Sequence, residues 1–409
     1  MTRIKTLFIR VICVIRGQNR FSAIYFTVSE TGIAGIPVNV QSRRNSGARE
    51  FASGRSAIST APSAATFSSM KRSLLPTLLA LTGLIAMSHS HAAPLIYAGT
   101  DGPAKGKQVV LIASDHEYKS EEALPELARI LARHYGAQCT VLFGVDPETG
   151  FIRPGNSNIP GTDALKAADL LVIFTRFQNL PPEQMQPIVD FLDRGGPVVG
   201  LRTATHGFKI PADSPFAKFD FQYKGEEFKG GFGRQILGET WVGHYGPNHK
   251  SSTRLDIVPD KATHPILRGV KDAWAQIGAY NAAPIEGSEI LISAQPLAGM
   301  EPASPVDETK KPMPGAWVRE YKSASGKMGR VFATTYGASG DLVNDGFRRM
   351  LVNASLWALG LEDAIKPDNE ISLVGPFRPT WHGGAKRAKE IKPEELAGWD
   401  SPILPEEKK

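Results

Sequence analysis

The hydrophobic pattern of the chain becomes orderly at Lys107. Val109-Val110-Leu111-Ile112-Ala113 is a short unbroken apolar run, as expected of a strand covered on both faces. Ala123, Leu124, Leu127, Ile130 and Leu131 follow at helical spacing, behind Ser120, Glu121 and Glu122, which offer a capping oxygen and negative charge at the helix start. Pro125 places the start of the regular helix close to itself. Gln138–Phe143 reads as a second strand and, after a Pro/Gly/Asn-rich loop, Leu170–Phe174 as a third. Pro181-Pro182 opens a helix that ends at Arg194-Gly195-Gly196, and Val198–Leu201 is a fourth strand. Strands alternating with helices predict an α/β fold, doubly wound, with a mostly parallel sheet and helices on both faces.

Residues 211–259 are rich in Gly, His and aromatics with weak periodicity, which predicts a long insertion over one end of the sheet. Strands are further expected at Thr253–Val258, Ile290–Ala294, Ala316–Tyr321 and Arg330–Thr335, and a closing helix at Phe347–Leu359. Beyond Glu362 the prolines multiply, giving an extended tail over 363–409 that lies on the domain through Phe377 and Trp381.

The amino-terminal part has another pattern. Met70-Lys71-Arg72, an apolar run from Leu74 to Met87 and the small-x-small end Ser90-His91-Ala92 form the three parts of a secretory signal peptide, too short for a comfortable membrane span. Met70 is then the expected start, with 1–69 an extension, 70–92 the signal, 93–106 a linker and 107–362 the α/β domain. This predicts a periplasmic or secreted protein without stable membrane insertion. The formal charge of +6 is misleading in that light: 1–69 hold nine Lys/Arg against two Asp/Glu, and Lys71 and Arg72 follow, so the chain from Ala93 onward carries −3. The folded part therefore gives no electrostatic argument for nucleic acid. Of the two cysteines, Cys13 lies in the leader, which leaves Cys139 as a lone thiol with no internal disulfide; its place in a strand marks it as a core residue.

In open α/β sheets, ligands bind beyond the carboxyl ends of the strands. That rule selects Asp115, His116, Glu117 and Tyr118 after the first strand, and Thr175, Arg176 and Phe177 after the third. Arg202, Thr203, Thr205 and His206 follow the fourth strand, and Tyr336, Ser339 and Asp341 a late one. Four strand ends that all present polar groups to one edge predict a polar pocket. Ion pairing of Arg176 and Arg202, and capping by Asp115 or Asp341, are the structural alternatives. His244-Tyr-Gly-Pro-Asn-His249 carries two imidazoles on one Gly/Pro loop; with His206 they offer three nitrogens to zinc or a similar divalent metal, although the spacing matches no standard zinc motif. The same histidines suit sugar hydrogen bonding or acid/base work. No G-x-S-x-G, C-x-x-C, Walker loop or G-x-G-x-x-G follows a strand, which argues against an elbow hydrolase, nucleotide phosphate chemistry and dinucleotide redox.

Several segments together resemble the ThuA-like (trehalose utilisation) family. They are Ser114-Asp-His-Glu-Tyr-Lys-Ser-Glu-Glu122, Phe174-Thr-Arg-Phe-Gln-Asn-Leu-Pro181 and Gly195-Gly-Pro-Val-Val-Gly-Leu-Arg-Thr-Ala-Thr-His206, then His264-Pro-Ile-Leu-Arg-Gly269, Ala316-Trp-Val318 and Gly329-Arg-Val-Phe-Ala-Thr-Thr-Tyr-Gly337. The resemblance runs from about Gln108 to Glu362 and implies a flavodoxin-like sheet related to class I glutamine amidotransferases. Those enzymes carry a nucleophilic Cys in the turn after a strand like Val198–Leu201; here that turn begins with Arg202, and Cys139 lies elsewhere. Many relatives have Gly-Leu-His at this strand end, whereas this chain has Gly-Leu-Arg with His206 four residues on. The resemblance implies a role in the catabolism of trehalose and related sugars, including 3-keto sugars, and no glutaminase activity.

The leading expectation is an exported enzyme acting on a small-molecule carbohydrate, a disaccharide or keto-sugar derivative. Glu117 or His206 moves a proton, Arg202 and Arg176 steady charge on oxygen, and Asp115, Tyr118, Thr203, Thr205, Trp241, Tyr336 and Asp341 bind substrate. Glycoside cleavage would need two carboxyl groups, for which Glu117 with Asp341 or Glu239 are the candidates. Trp241, Tyr245 and Phe232 suit stacking on a sugar face. A non-catalytic carbohydrate-binding protein and a metal-dependent hydrolase are the competing readings.

Overall fold

A computed structural model describes residues 93–380 and 390–403. The leader, the signal segment up to Ala92, and Trp381 lie outside the described residues. Among the described residues no helix is long and apolar enough to cross a membrane.

Among the described residues, ten strands form one sheet. In chain order they are β1 (Leu95–Ala98), β2 (Gln108–Ser114), β3 (Gln138–Phe143), β4 (Leu170–Thr175), β5 (Val198–Leu201), β6 (Thr253–Ile257), β7 (Trp274–Ala275), β8 (Glu289–Pro296), β9 (Met313–Lys322) and β10 (Met328–Thr334). The α-helices of the described residues are α1 (Ser120–Tyr135), α2 (Pro182–Asp193) and α3 (Asp345–Ala358). The spatial order is β1-β3-β2-β4-β5-β10-β9-β8-β6-β7.

The inner half, β3-β2-β4-β5-β10, is parallel. Its central strands β2, β4 and β5 are apolar along most of their length because both faces are covered. Val109, Leu111 and Ala113 of β2 and Leu170, Val172 and Phe174 of β4 join α1 and α3 in one core. The alternate residues Val110, Ile112, Leu171 and Ile173 join α2 in the other. β1 lies antiparallel on β3 at one edge, within the 93–106 segment that the sequence reads as a linker. Past β10 in the sheet, β9, β8, β6 and β7 all pair antiparallel, with β6 between β8 and β7. The mostly parallel sheet expected from the sequence is thus corrected to a mixed one. The physical reason is connection length: β9 and β10 are joined by residues 323–327 alone, too few for the crossover a parallel pair requires.

The start of α1 is a second correction. The helix begins at Ser120, ahead of Pro125, which is accommodated inside it. Ser120 is not its cap: the Ser120 hydroxyl accepts from the Asp115 amide at 2.8 Å and so closes the β2–α1 loop. Asn344 caps α3, accepting from the Phe347 amide at 2.8 Å.

The described part of the tail packs along α1. Arg129, fully buried, donates to the carbonyls of Val374, Leu396 and Ser401. Glu126 accepts the Val374 amide at 2.8 Å, and Glu122 accepts both the amide and the hydroxyl of Thr380. Phe377 packs against the core, as its apolar character suggests.

Candidate functional site

The loops that leave the carboxyl ends of β2, β4 and β5 meet. Asp115 organises the first: its Oδ2 accepts the amides of Glu117 (3.1 Å) and Tyr118, and its Oδ1 accepts the Thr203 hydroxyl at 3.0 Å. One buried carboxylate therefore shapes the β2–α1 loop and ties it to the turn after β5. Burial pushes the Asp115 carboxyl up to about 6. With its oxygens so engaged, Asp115 and Thr203 hold the framework of the site, in place of the substrate contact expected for both.

Above them lies a rim of charge. Arg176 pairs with Glu117 at 2.9 Å and meets His116 Nε2 at 2.7 Å, its guanidinium 4.7 Å from the Phe177 ring centre. Both members of the pair keep about a fifth of their side-chain surface exposed, 21% for Arg176 and 23% for Glu117, so solvent and a small ligand have access to them.

His206 sits beside this rim, 2% exposed. Its ring centre is 5.0 Å from that of Phe177, 4.9 Å from Trp241, 6.3 Å from Phe221 and 6.1 Å from Tyr280. The Thr205 hydroxyl lies 3.3 Å from His206 Nδ1. Burial, then the positive charges of Arg176 and Arg202, hold this imidazole well below its ordinary range, so it is neutral near pH 7.

Arg202 lies underneath, with no exposed surface. Its Nη1 donates to the carbonyls of Gly278 and Thr335, both at 2.8 Å, and its Nη2 to the Tyr118 hydroxyl at 3.1 Å. The guanidinium is stacked 3.6 Å from the Tyr280 ring centre and 4.5 Å from that of Tyr118. The direct contact of Arg202 with substrate oxygen expected from the sequence is corrected: the side chain is walled in, and it acts on the site through Tyr118. His244 Nε2 lies 3.2 Å from that same hydroxyl, and although the residue as a whole is exposed its ring packs edge-on to Trp241 and Tyr280. Burial of its ring edge, then Arg202, lowers its pKa as well.

Backbone strain gathers at this rim. Of the six non-glycine residues with positive φ among the described residues, three stand on these loops: Lys119 (65°), Phe177 (54°) and Arg202 (41°). Each costs free energy that the surroundings must supply, and such strain concentrates at functional sites.

Other expected site residues fall elsewhere. Asp341 is fully buried, its carboxylate taken by the amides of Gly337 (2.9 Å), Ala338 (3.0 Å) and Gln276 (2.7 Å), so it neither binds substrate nor pairs with Glu117. Tyr336 belongs to the core. Glu239 is committed to Arg234 at 2.9 Å and to the amides of Thr240 and Ala283. Phe232 packs edge-on to Phe208 in the core, and Tyr245 receives the Lys311 amide and stacks under Lys310, so of the three expected stacking residues Trp241 alone stands at His206. The three-histidine metal site is also corrected. His249 turns toward Asn248 on an exposed loop, and among the described residues no group of three or more His, Cys, Asp or Glu is gathered closely enough to hold a metal ion. Burial raises the Cys139 thiol far above its usual range, consistent with a core residue.

Sequence reasoning missed Phe221, Tyr280 and Asn248. No periodic signal marks them, since they lie in irregular segments that only the fold brings to β5.

The trehalose-utilisation family, ThuA, matches this chain over residues 155–358. The chain belongs to the ThuA family. The match takes in Arg176, Arg202, His206, Trp241 and His244, and starts after the β2–α1 loop that carries Asp115, Glu117 and Tyr118. Two solved ThuA-like proteins are similar in structure. That from Bacteroides uniformis is 14% identical, covering 66% of this chain and 98% of its own, with a TM-score of 0.39. That from Parabacteroides merdae is 15% identical, covering 70% and 98%, with a TM-score of 0.36. No curated protein matches the chain. ThuA membership suggests a role connected with carbohydrate utilisation.

Proposed function

We propose that this ThuA-family chain is an exported enzyme that acts on a disaccharide or keto-sugar derivative by acid/base proton transfer. The observation that carries the reading is a neutral, nearly buried His206 walled by Phe177, Phe221, Trp241 and Tyr280, with the partly exposed Glu117–Arg176 pair alongside. Aromatic faces take the C–H faces of a sugar, and a few placed polar groups take its hydroxyls. A neutral imidazole can remove a proton next to a carbonyl, and Arg176 is the accessible cation that would steady the resulting oxyanion. Glu117 is the second candidate base. Export rests on the tripartite segment Met70–Ala92.

A carbohydrate-binding protein without catalysis is the second reading. It is favoured by Arg202, which stands buried in the strained turn where the amidotransferases that the chain resembles carry their nucleophile.

One experiment separates the two. The mature chain is incubated with 3-keto-trehalose in D2O, deuterium entry beside the carbonyl is followed by NMR, and binding is measured by calorimetry for wild type and His206→Ala. The enzyme reading expects exchange that falls about 100-fold or more in the variant with affinity nearly kept. A binder expects no exchange in the wild type and a lost affinity in the variant. Absence of any melting-point rise with trehalose, its monosaccharides or their keto forms defeats the carbohydrate assignment altogether.

A further inference from the structure

Glu126 has no exposed surface, and its place on α1 puts it under the tail. One carboxyl oxygen accepts the Val374 amide at 2.8 Å, and the other is buried without a hydrogen-bond partner. Two guanidiniums face it, and both are engaged elsewhere. Arg129 gives Nε to the Tyr97 hydroxyl at 3.1 Å and its other nitrogens to the carbonyls of Val374, Leu396 and Ser401. Arg348 of α3 gives Nε to the Ile371 carbonyl at 2.7 Å, Nη1 to those of Leu342 and Val343, and Nη2 to Asp345. With Tyr97 of β1, these are the titratable and charged groups that face Glu126 among the described residues. A carboxylate with one donor in a dry site is poorly solvated, so the protonated acid is the form that fits. Burial outweighs the Val374 amide, Arg129 and Arg348 and pushes the group up to about 7.

To gain donors, an ionised Glu126 must either admit water or draw a guanidinium off its carbonyls. The tail is the thinnest cover: of residues 370–380, Ile371 and Val374 alone are buried. Both guanidiniums hold that same segment, Arg129 at Val374 and Arg348 at Ile371. Each route therefore loosens it. Its far end reaches the candidate site. The Thr380 amide and hydroxyl bind Glu122 in the first turn of α1, and the Thr380 carbonyl accepts the Ser339 hydroxyl at 3.4 Å. The Ser339 amide in turn donates to the Tyr118 carbonyl at 3.2 Å. Glu122 differs from Glu126 in that both of its oxygens have a donor on Thr380.

We propose that residues 370–380 form a pH-sensitive strap, held closed on α1 by protonated Glu126 and loosened as Glu126 ionises, and that the strap steadies the β2–α1 loop carrying Glu117 and Tyr118. Its bearing on sugar binding rests on the carbohydrate reading of the site; the strap itself does not.

The test is hydrogen exchange by mass spectrometry on the mature chain between pH 5 and pH 8, with each rate normalised to the intrinsic rate at that pH. In the wild type, opening of 370–380 should rise about 10-fold or more over this range and level off above 7, because the open strap releases the proton that the closed one keeps. Residues 115–119 should follow it. Glu126→Gln keeps an acceptor for the Val374 amide and never ionises, so its strap and loop should stay protected throughout. Asp115 titrates near the loop as well, and the comparison with this variant removes its share. An NMR titration of the Glu126 carboxyl needs no variant and must span the same interval. A strap whose protection is flat with pH, a Glu126→Gln strap that opens like the wild type, or a Glu126 carboxyl that titrates in the ordinary carboxylate range overturns the switch. A strap that opens over a loop that stays protected overturns the link to the site. With 3-keto-trehalose, calorimetry should show affinity falling about 3-fold or more from pH 5 to pH 8 in the wild type relative to Glu126→Gln. Equal behaviour of the two overturns the regulation, whereas a wild type that binds no sugar at either pH counts against the carbohydrate reading and leaves the strap to be decided by exchange.

Discussion

Thr203 shows how much of the site hangs on single buried hydrogen bonds. Its hydroxyl is the partner of Asp115 Oδ1, and Asp115 in turn fixes the amides of Glu117 and Tyr118. Thr203→Val keeps the shape and removes the donor, leaving a buried carboxylate oxygen short of a partner. The expected cost is about 1–3 kcal/mol, read from the urea midpoint, and the Asp115 carboxyl should titrate at higher pH than in the wild type. An unchanged midpoint would mean that the β2 and β5 loops hold their shape without this link.

Glu126 makes an opposite prediction. Burial pushes its carboxyl up to about 7 from 4.5. Between those values the folded chain holds a proton that the unfolded chain releases. Its contribution to stability is therefore fully present below about 4.5 and is lost as pH rises through 7. Glu126→Gln should melt higher than the wild type at pH 8, with the gap closing at pH 5. A variant that melts lower at both values would show that the ionised carboxylate is needed to hold the Val374 amide.

Among the elements, the π-helical turn Gly233–Leu237 governs the site from behind. A methyl group at Gly233 would lie 2.1 Å from the Thr205 carbonyl oxygen and 2.7 Å from that of Glu239, both backbone atoms. The turn presses so closely on the Arg202–His206 segment that only glycine fits there. Gly233→Ala must therefore displace one of them. Sugar affinity, measured by calorimetry, should fall along with a drop in melting temperature; full affinity would mean that His206 is placed by β5 alone. The tail is the second governing element. Arg129→Ala leaves the carbonyls of Val374, Leu396 and Ser401 without their donor, and should cost on the order of 2–4 kcal/mol. Limited proteolysis should then cut the tail before the sheet domain, whereas equal resistance would show that apolar contacts suffice to hold it.

For the whole molecule, the carboxylates buried deepest share one sign. Asp115 and Asp341 are both raised to about 6 from 3.8, again by burial, and add to Glu126. Each favours the folded state below its unfolded value and loses that contribution as pH climbs through 6 or 7. This contribution should fall between pH 5 and pH 8, against the opposite one of His206 and His244, whose lowered pKa values favour the fold as pH rises towards 6.5. Calorimetry at several pH values on Glu126→Gln and Asp341→Asn beside the wild type isolates it, and a wild type that loses no more stability than the variants over that interval would contradict protonated native carboxyls.

The sequence by itself determined β2, β4, β5, α2 and α3 and the edge on which Glu117, Arg176, Arg202 and His206 emerge. It could do so because local periodicity, Pro and Gly punctuation and the strand-end rule are short-range properties written in neighbouring residues. Only the tertiary structure decided that half of the sheet runs antiparallel, since strand direction follows from how much chain is left to make each return. It also decided that Asp341 and Tyr336 serve the interior, that Arg202 stands behind Tyr118, and that Phe221, Trp241 and Tyr280 close around His206. Those roles depend on burial and on partners distant in the chain, and free energy at such a position is set by what surrounds a side chain in space.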